Sequence, residues 1–375
     1  MALHLSTWDT VTNARAGFLE LPHGQVATPA FMPVGTNGTV KAIRHEQVAG
    51  MGYRLILANT YHLYLRPGLD VIREAGGLHR FSTWEHNILT DSGGYQVFSL
   101  APFRRIMTDG VRFRSHIDGS YHELTPERVV DAQCVFGSDV LMPLDVCTGP
   151  GIDRREAEEA LRTTTRWAKR SARRWRDAVD RGFSGHLFGI VQGNFFEDLR
   201  RQSAEELAEL ELPGYAIGGL SVGESTDVFL RILQATAAVL PEEKPRYLMG
   251  IGTPDYILAA VRNGIDMFDC VFPTRIARNG MVFTRDGTLA LKKRTHEREA
   301  GPIDEACSCV TCRRYSRGYL RHLFKAREML GPMLATEHNL HFLASLMREI
   351  RRSIEDGVYS QFQADFLHRY EAGGE

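Results

Sequence analysis

The chain has 375 residues, 43% hydrophobic and 24% charged, enough to bury one large core with an appendage. No stretch approaches the ~18 apolar residues of a membrane span, and the first residues lack the basic-then-apolar pattern of a secretory leader, which predicts a cytoplasmic protein. A net charge of −1 excludes a globally basic nucleic-acid binder, yet residues 292–328 carry ten Lys or Arg against five acids, a local patch able to meet a polyanion.

In chain order, eight short apolar runs of strand length end at small or polar residues: Phe31–Val34, Leu55–Ala58, Asn87–Thr90, Val140–Leu144, Leu187–Val191, Tyr215–Ile217, Arg246–Met249 and Ile265–Phe268. Amphipathic segments separate them, among them Glu46–Met51, Gly68–Ala75, Pro126–Phe136, Asp153–Val179, Glu197–Glu211, Ser225–Leu240 and Pro254–Asn263. Several open on Pro, Ser or Asp, residues that suit helix starts. The alternation predicts an α/β fold, a (β/α)8 TIM barrel, and no Gly-x-Gly-x-x-Gly follows the first run to favour a doubly wound sheet. The reading divides the chain into a barrel over 1–290 with a hairpin inserted near 111–124, a metal-binding subdomain over 291–345, and C-terminal helices over 346–375 that complete the barrel.

In such a barrel the active site lies at the C-terminal mouth, so the residues just past the strands are the informative ones. They read Thr36, Asn59, Asp91, Asp145, Gln192, Gly219 with Leu220, Gly250 and Asp269. Three carboxylates, two amides and several glycines on one rim can hydrogen-bond the edge of a heterocycle and attend a cationic carbon, which an apolar core has no use for. The glycines admit a second use, the cradling of a phosphate, and a small-molecule phosphate enzyme is the competing reading. Asp266, three residues before Asp269, points to the other face of a regular strand and is not a candidate.

Six cysteines fall at 134, 147, 270, 307, 309 and 312. The spacing Cys307-x-Cys309-x-x-Cys312 places three thiolates within six residues, and one distant histidine would close a structural tetrahedral site that leaves no open position for water. Spacing alone leaves His296, His322, His338 and His341 as candidates.

Four segments together resemble the bacterial tRNA-guanine transglycosylases: Asp91-Ser92-Gly93-Gly94-Tyr95-Gln96, Gly218-Gly219-Leu220-Ser221-Val222-Gly223-Glu224, Phe268-Asp269-Cys270-Val271-Phe272-Pro273-Thr274-Arg275, and the cysteine trio. The resemblance implies Asp269 as the nucleophile that attacks the ribose anomeric carbon and holds the tRNA covalently, with Asp91 as general acid/base. It places base recognition on Ser92, Tyr95, Asp145, Cys147, Gln192, Gly219, Leu220, Val222 and Met249, and contact with RNA on Arg275 and Arg278. It selects His338 as fourth ligand of one structural zinc ion per subunit, with no organic cofactor. The implied substrates are the anticodon loops of Asp, Asn, His and Tyr tRNAs, with guanine exchanged for 7-aminomethyl-7-deazaguanine in queuosine biosynthesis. Cys147 and Val222 match the bacterial subgroup; Val146, where bacterial members often carry Glu, and Ser221, in place of a frequent Ala, depart from it. Tyr315, Tyr319 and His322 lie at helical spacing and form a partly apolar stripe that either packs on the barrel or, as the resemblance implies, serves a homodimer. A catalytically silent RNA-binding subunit is the remaining alternative, and the presence of both Asp91 and Asp269 argues against it.

Overall fold

A computed structural model describes residues 2–100 and 104–372. Eight parallel strands form a ring: β1 (Ala30–Pro33), β2 (Leu55–Ala58), β3 (Asn87–Thr90), β4 (Val140–Leu141), β5 (His186–Val191), β6 (Gly214–Ile217), β7 (Arg246–Leu248) and β8 (Met267–Cys270). Each pairs with the next, β8 pairs with β1 with Phe268 opposite Phe31, and a parallel bridge from Val34 to Leu57 closes the ring between β1 and β2. The eight predicted runs are these eight strands, so the barrel expected from the sequence is the barrel observed.

Alternation along each strand splits the core in two. Met32, Leu57, Leu89, Phe188, Ile190, Tyr247 and Met267 fill the inside of the ring, while Phe31, Ile56, Ile88, Leu187, Ile217, Leu248 and Phe268 face the surrounding helices. The helices start where their chemistry dictates. Thr125, Asp153 and Ser225 accept backbone N–H groups at the N-termini of Pro126–Phe136, Arg154–Val179 and Thr226–Ala237, and Glu156 completes a capping box with Asp153.

An antiparallel sheet that the sequence reading did not anticipate, Ala2–Trp8, Arg15–Leu21 and Gly24–Thr28, closes the N-terminal end of the barrel. Its Leu19, Leu21 and Val26 join the inner cluster. Arg15 is locked there by a fully buried ion pair to Asp266, at 2.9 and 2.6 Å. Asp266 thus faces away from the C-terminal mouth, as the strand periodicity requires. The insertion before Pro126 is a three-stranded meander, Arg104–Met107, Gly110–Arg114 and Tyr121–Leu124, whose last two strands are the predicted hairpin.

After β8 the chain forms the helix Phe272–Arg278, the hairpin Met281–Thr284 and Gly287–Ala290, and the short helices Val310–Arg314 and Arg317–Ala326. These enclose a separate apolar cluster containing Val282, Leu291, Ile303, Leu320 and Leu323. The helix Leu330–Glu355 ties it to the rest: Leu334 and Ala335 pack in this cluster, whereas Leu343, Met347, Ile350 and Ile354 pack in the main core. Position 345 therefore lies inside one continuous helix.

Candidate active site

Asp269 sits on β8, half-buried at the mouth of the barrel. Its Oδ1 accepts the Tyr247 hydroxyl at 2.6 Å and the Gly250 N–H at 2.8 Å, while Oδ2 accepts no hydrogen bond among the described residues. Burial raises its pKa, and the two donors offset that in part. One oxygen is thus held and the other is left free to react. Tyr247 is fully buried on the neighbouring strand β7, and its phenol is pushed well above the ordinary range first by burial and then by Asp269. It therefore stays a donor. The negative charge of Asp91 adds to that rise.

Asp91 follows β3 and is nearly sealed from solvent, at 9% exposure. Its carboxylate accepts from Asn59 Nδ2 at 2.5 Å, Thr60 N at 2.8 Å and Gly93 N at 3.2 Å. Burial pushes its pKa up to about 6 even against these donors and Gln96. Such a group changes protonation near neutral pH, as a proton carrier must. The sharp turn through Gly93, at φ +77, is required: a Cβ there would lie 3.0 Å from the Tyr61 N.

Asp145 lies beyond β4, and its two oxygens meet Ser92 Oγ at 3.4 Å and Gln192 Nε2 at 2.8 Å. Burial again pushes the pKa up to about 6. Gln192, at the end of β5, is 2% exposed, and its Oε1 is buried without a hydrogen-bond partner. Gly218 and Gly219 pack directly on this amide, since a Cβ at either would come within 2.7 Å of it. The structure thus links Ser92, which follows Asp91 in the chain, to Asp145, Gln192 and Gly219 around one rim, with Tyr247 holding Asp269 on the neighbouring strand. Leu220 is buried and Val222, Cys147 and Met249 are half-buried around this rim's loops, whereas Tyr95 is 57% exposed. Burial pushes the Cys147 thiol up to about 12, so it is a neutral wall and not a nucleophile.

The model of the queuine tRNA-ribosyltransferase family matches residues 9–372. Curated proteins called queuine tRNA-ribosyltransferase share 53% identity in Borrelia hermsii and 54% in Pelotomaculum thermopropionicum, each over 97% of both chains. The one from Treponema denticola shares 52%, over 97% of this chain and 96% of its own. The chain belongs to the queuine tRNA-ribosyltransferase family.

A metal-ligand cluster accompanies the site in this family member. Cys307, Cys309 and Cys312 place Sγ at 3.7, 3.5 and 3.3 Å from His338 Nδ1. A tetrahedral ion with typical metal–sulfur and metal–nitrogen bonds needs ligand edges of about 3.6 Å, so the residues fit one. His338 Nε2 lies 2.7 Å from the Phe283 carbonyl, which accepts its N–H and so leaves Nδ1 unprotonated and free to ligate. Of the four histidines open to sequence reasoning, His338 alone joins the thiols. A second His/Asp group, His23, His79 and Asp139, is of a different kind. His23 Nδ1 touches Asp139 at 2.6 Å, too short for two ligands of one ion, and the imidazoles stack with centroids 3.7 Å apart. It is a hydrogen-bonded knot in which Asp139 also accepts the Ile88 N–H of β3 at 2.7 Å.

On the helix after β8, Arg275 is exposed and Arg278 half-buried. Arg278 Nη1 is buried without a partner, and burial together with nearby Arg275 lowers its pKa. Two like charges with an unused donor are poised for an anion. Sequence reasoning missed three residues of this site. Tyr247 becomes visible only through the β7–β8 register. Glu224, quoted but given no role, accepts the N–H groups of Ser221, Val222 and Gly223 at 2.5, 2.9 and 3.1 Å and so fixes the loop after β6. Arg200 had a readable signal: it shares a helix face with buried Ser203, Ala204 and Leu207, where a cation has no business without a purpose.

Proposed function

We propose that the chain exchanges guanine at the wobble position of GUN-anticodon tRNAs for 7-aminomethyl-7-deazaguanine, through a covalent bond between Asp269 and the ribose. The family performs guanine exchange in tRNA for queuosine biosynthesis, which makes this chain a pentosyltransferase. The observation that carries the mechanism is the asymmetry of Asp269, one oxygen pinned by Tyr247 and Gly250 and the other unbonded.

The free Oδ2 attacks C1′ as the C1′–N9 bond breaks, and the electron pair leaves on N9 of guanine, which takes up a proton held by Asp91. The incoming base then gives its N9 proton to the Asp91 carboxylate, and its N9 displaces Asp269 from C1′. Two inversions retain the β linkage. Asp145 accepts from N1–H and the exocyclic amine, Gln192 turns its amide to the base carbonyl, and backbone at Gly219 and Leu220 completes the edge. Ser92, Cys147 and Val222 shape the pocket, while Tyr95 and Met249 cover the ring faces once a base is bound. Arg275 and Arg278 hold phosphates of the opened loop, whose guanine must be splayed out to reach Asp269.

The cluster of Cys307, Cys309, Cys312 and His338 holds zinc, which supplies structure and not catalysis because protein fills all four positions. The chain works in the cytoplasm, and no helix among the described residues is long and apolar enough to cross a membrane. A homodimer forms through the start of the helix Arg317–Ala326, where Tyr319 stacks on Tyr315 of the preceding turn with centroids 5.7 Å apart and is 42% exposed.

The test is incubation with unmodified tRNA of the Asp, Asn, His or Tyr kind and labelled 7-aminomethyl-7-deazaguanine. Label is expected at the wobble base, and Asp269→Asn is expected to abolish both incorporation and the denaturation-resistant protein–RNA adduct. Label elsewhere in the tRNA, or an adduct surviving in Asp269→Asn, refutes the assignment.

A further inference from the structure

Arg200 is fully buried on the helix Glu197–Ala208, and no ion pair to it exists among the described residues. An unpaired buried cation is costly, and burial pushes its pKa down to about 10. Its donors go instead to carbonyls of the loops that follow β5 and β6. Nε donates to Asn194 O at 2.8 Å, Nη1 to Gly218 O at 2.7 Å and Val191 O at 3.3 Å, and Nη2 to Gly219 O at 3.2 Å.

We propose that Arg200 is a positioning residue that sets specificity for a 6-oxopurine by aiming two backbone N–H groups at the base carbonyl. In a trans peptide the C=O and the following N–H point in opposite directions. Guanidinium contacts to the Gly218 and Gly219 carbonyls therefore turn the N–H groups of Gly219 and Leu220 away from Arg200, toward the rim where Gln192 and Asp145 meet. Among the described residues neither N–H has a backbone acceptor, although the adjacent Gly218 N–H is spent on Val191 O at 3.1 Å. Gly219 adopts φ +65 to make this turn, which a side chain would obstruct. One planar cation with several fixed donors can hold both peptides at once; a lysine ammonium cannot match that fork. Arg200 touches no substrate and acts only through the loop.

The inference rests on the proposed reading of the pocket, and the test separates the two. Guanine and 6-thioguanine present the same N1–H and amine to Asp145 but differ in the acceptor at position 6, where sulfur is weak. Affinities of both bases and of tRNA are measured for the wild-type protein and for Arg200→Lys. The wild type is expected to prefer guanine by at least about tenfold, and Arg200→Lys is expected to lose about tenfold toward guanine. Its affinity for 6-thioguanine and tRNA should stay within about threefold. An equal loss for both bases means a merely structural role and overturns the proposal. So does an equal affinity of the wild type for both bases, a result that stands even where the variant fails to fold. Wild-type protein that binds neither base sinks the pocket reading together with this inference, whereas exchange with undiminished preference in Arg200→Lys sinks the inference alone.

Discussion

Asp145 is ionised at a cost, and that cost is measurable. Its folded pKa is raised from 3.8 to about 6 by burial, so ionisation favours the unfolded chain. The sign follows directly: stability from this group is complete below pH 3.8, declines as pH rises through 6, and is lowest above it. The full difference is worth about 3 kcal/mol, and access of water to the half-buried rim reduces it to about 1–3 kcal/mol. In Asp145→Asn the new amide can donate to the orphaned Gln192 Oε1, so the variant is expected to unfold at higher temperature than wild type at pH 8 and to match it at pH 4. Guanine exchange is expected to fall by at least about 100-fold. Thermal melts at the two pH values check the first part, and a variant less stable at pH 8 would show that the carboxylate is no burden there. Asp91, also near 6, adds a second expectation: kcat/KM for tRNA should fall as pH rises above about 6, where the proton that the departing guanine takes up is lost. At this scale the sequence was legible in placement wherever a polar side chain lies at a strand end, as for Asp91, Asp145, Gln192 and Asp269. It was illegible for Tyr247, because only strand register shows which buried aromatic ring meets Asp269.

Among the elements, the eight barrel strands could be read because each is a short, fully apolar run between helices of clear period. The N-terminal sheet was hidden for the opposite reason. Ala2–Trp8 has no fully buried residue, so alternation is faint, and its partner Arg15–Leu21 buries a charged residue, Arg15, that looks like a surface group until Asp266 is found beneath it. The first strand of the meander, Arg104–Met107, was missed likewise, since the sequence Arg-Arg-Ile-Met has no alternation of apolar and polar residues to betray it. That meander is tied to the barrel by the helix Arg154–Val179. Arg170 grips Glu127 with two bonds at 2.7 and 2.8 Å and reaches Asp109 at 3.1 Å, and Trp167 Nε1 donates to Thr108 O at 3.1 Å. Arg170→Ala should cost about 1 kcal/mol, since the fork is only partly buried. Hydrogen exchange is expected to accelerate in residues 104–114 and to stay unchanged in β5 through β8. Uniform acceleration over the whole barrel would mean that the tie serves global stability and not the insertion.

For the whole molecule, the separate apolar cluster behind the cysteines poses the question of what holds it folded. Its core is small, with Val282, Leu291, Ile303, Leu320 and Leu323 at its centre, and domains of that size seldom sustain themselves on apolar burial alone. A structural metal bound by three thiolates and one imidazole contributes about 10–16 kcal/mol in comparable small modules, far more than this cluster can supply. The barrel has no such dependence, because its two clusters close without the cysteines. Chelation under reducing conditions should therefore split one calorimetric transition into two, the lower belonging to residues from the hairpin Met281–Thr284 to the first turns of Leu330–Glu355. Helix beyond Leu340 should stay protected, since its side chains lie in the main core. Guanine binding should survive, as every residue proposed to meet the base lies on the barrel, while tRNA affinity should drop because the basic segment 292–328 is carried by the melted part. A single transition that merely shifts downward would show that subdomain and barrel unfold as one body, and an unchanged melt would show that the thiolates hold no metal that matters to the fold.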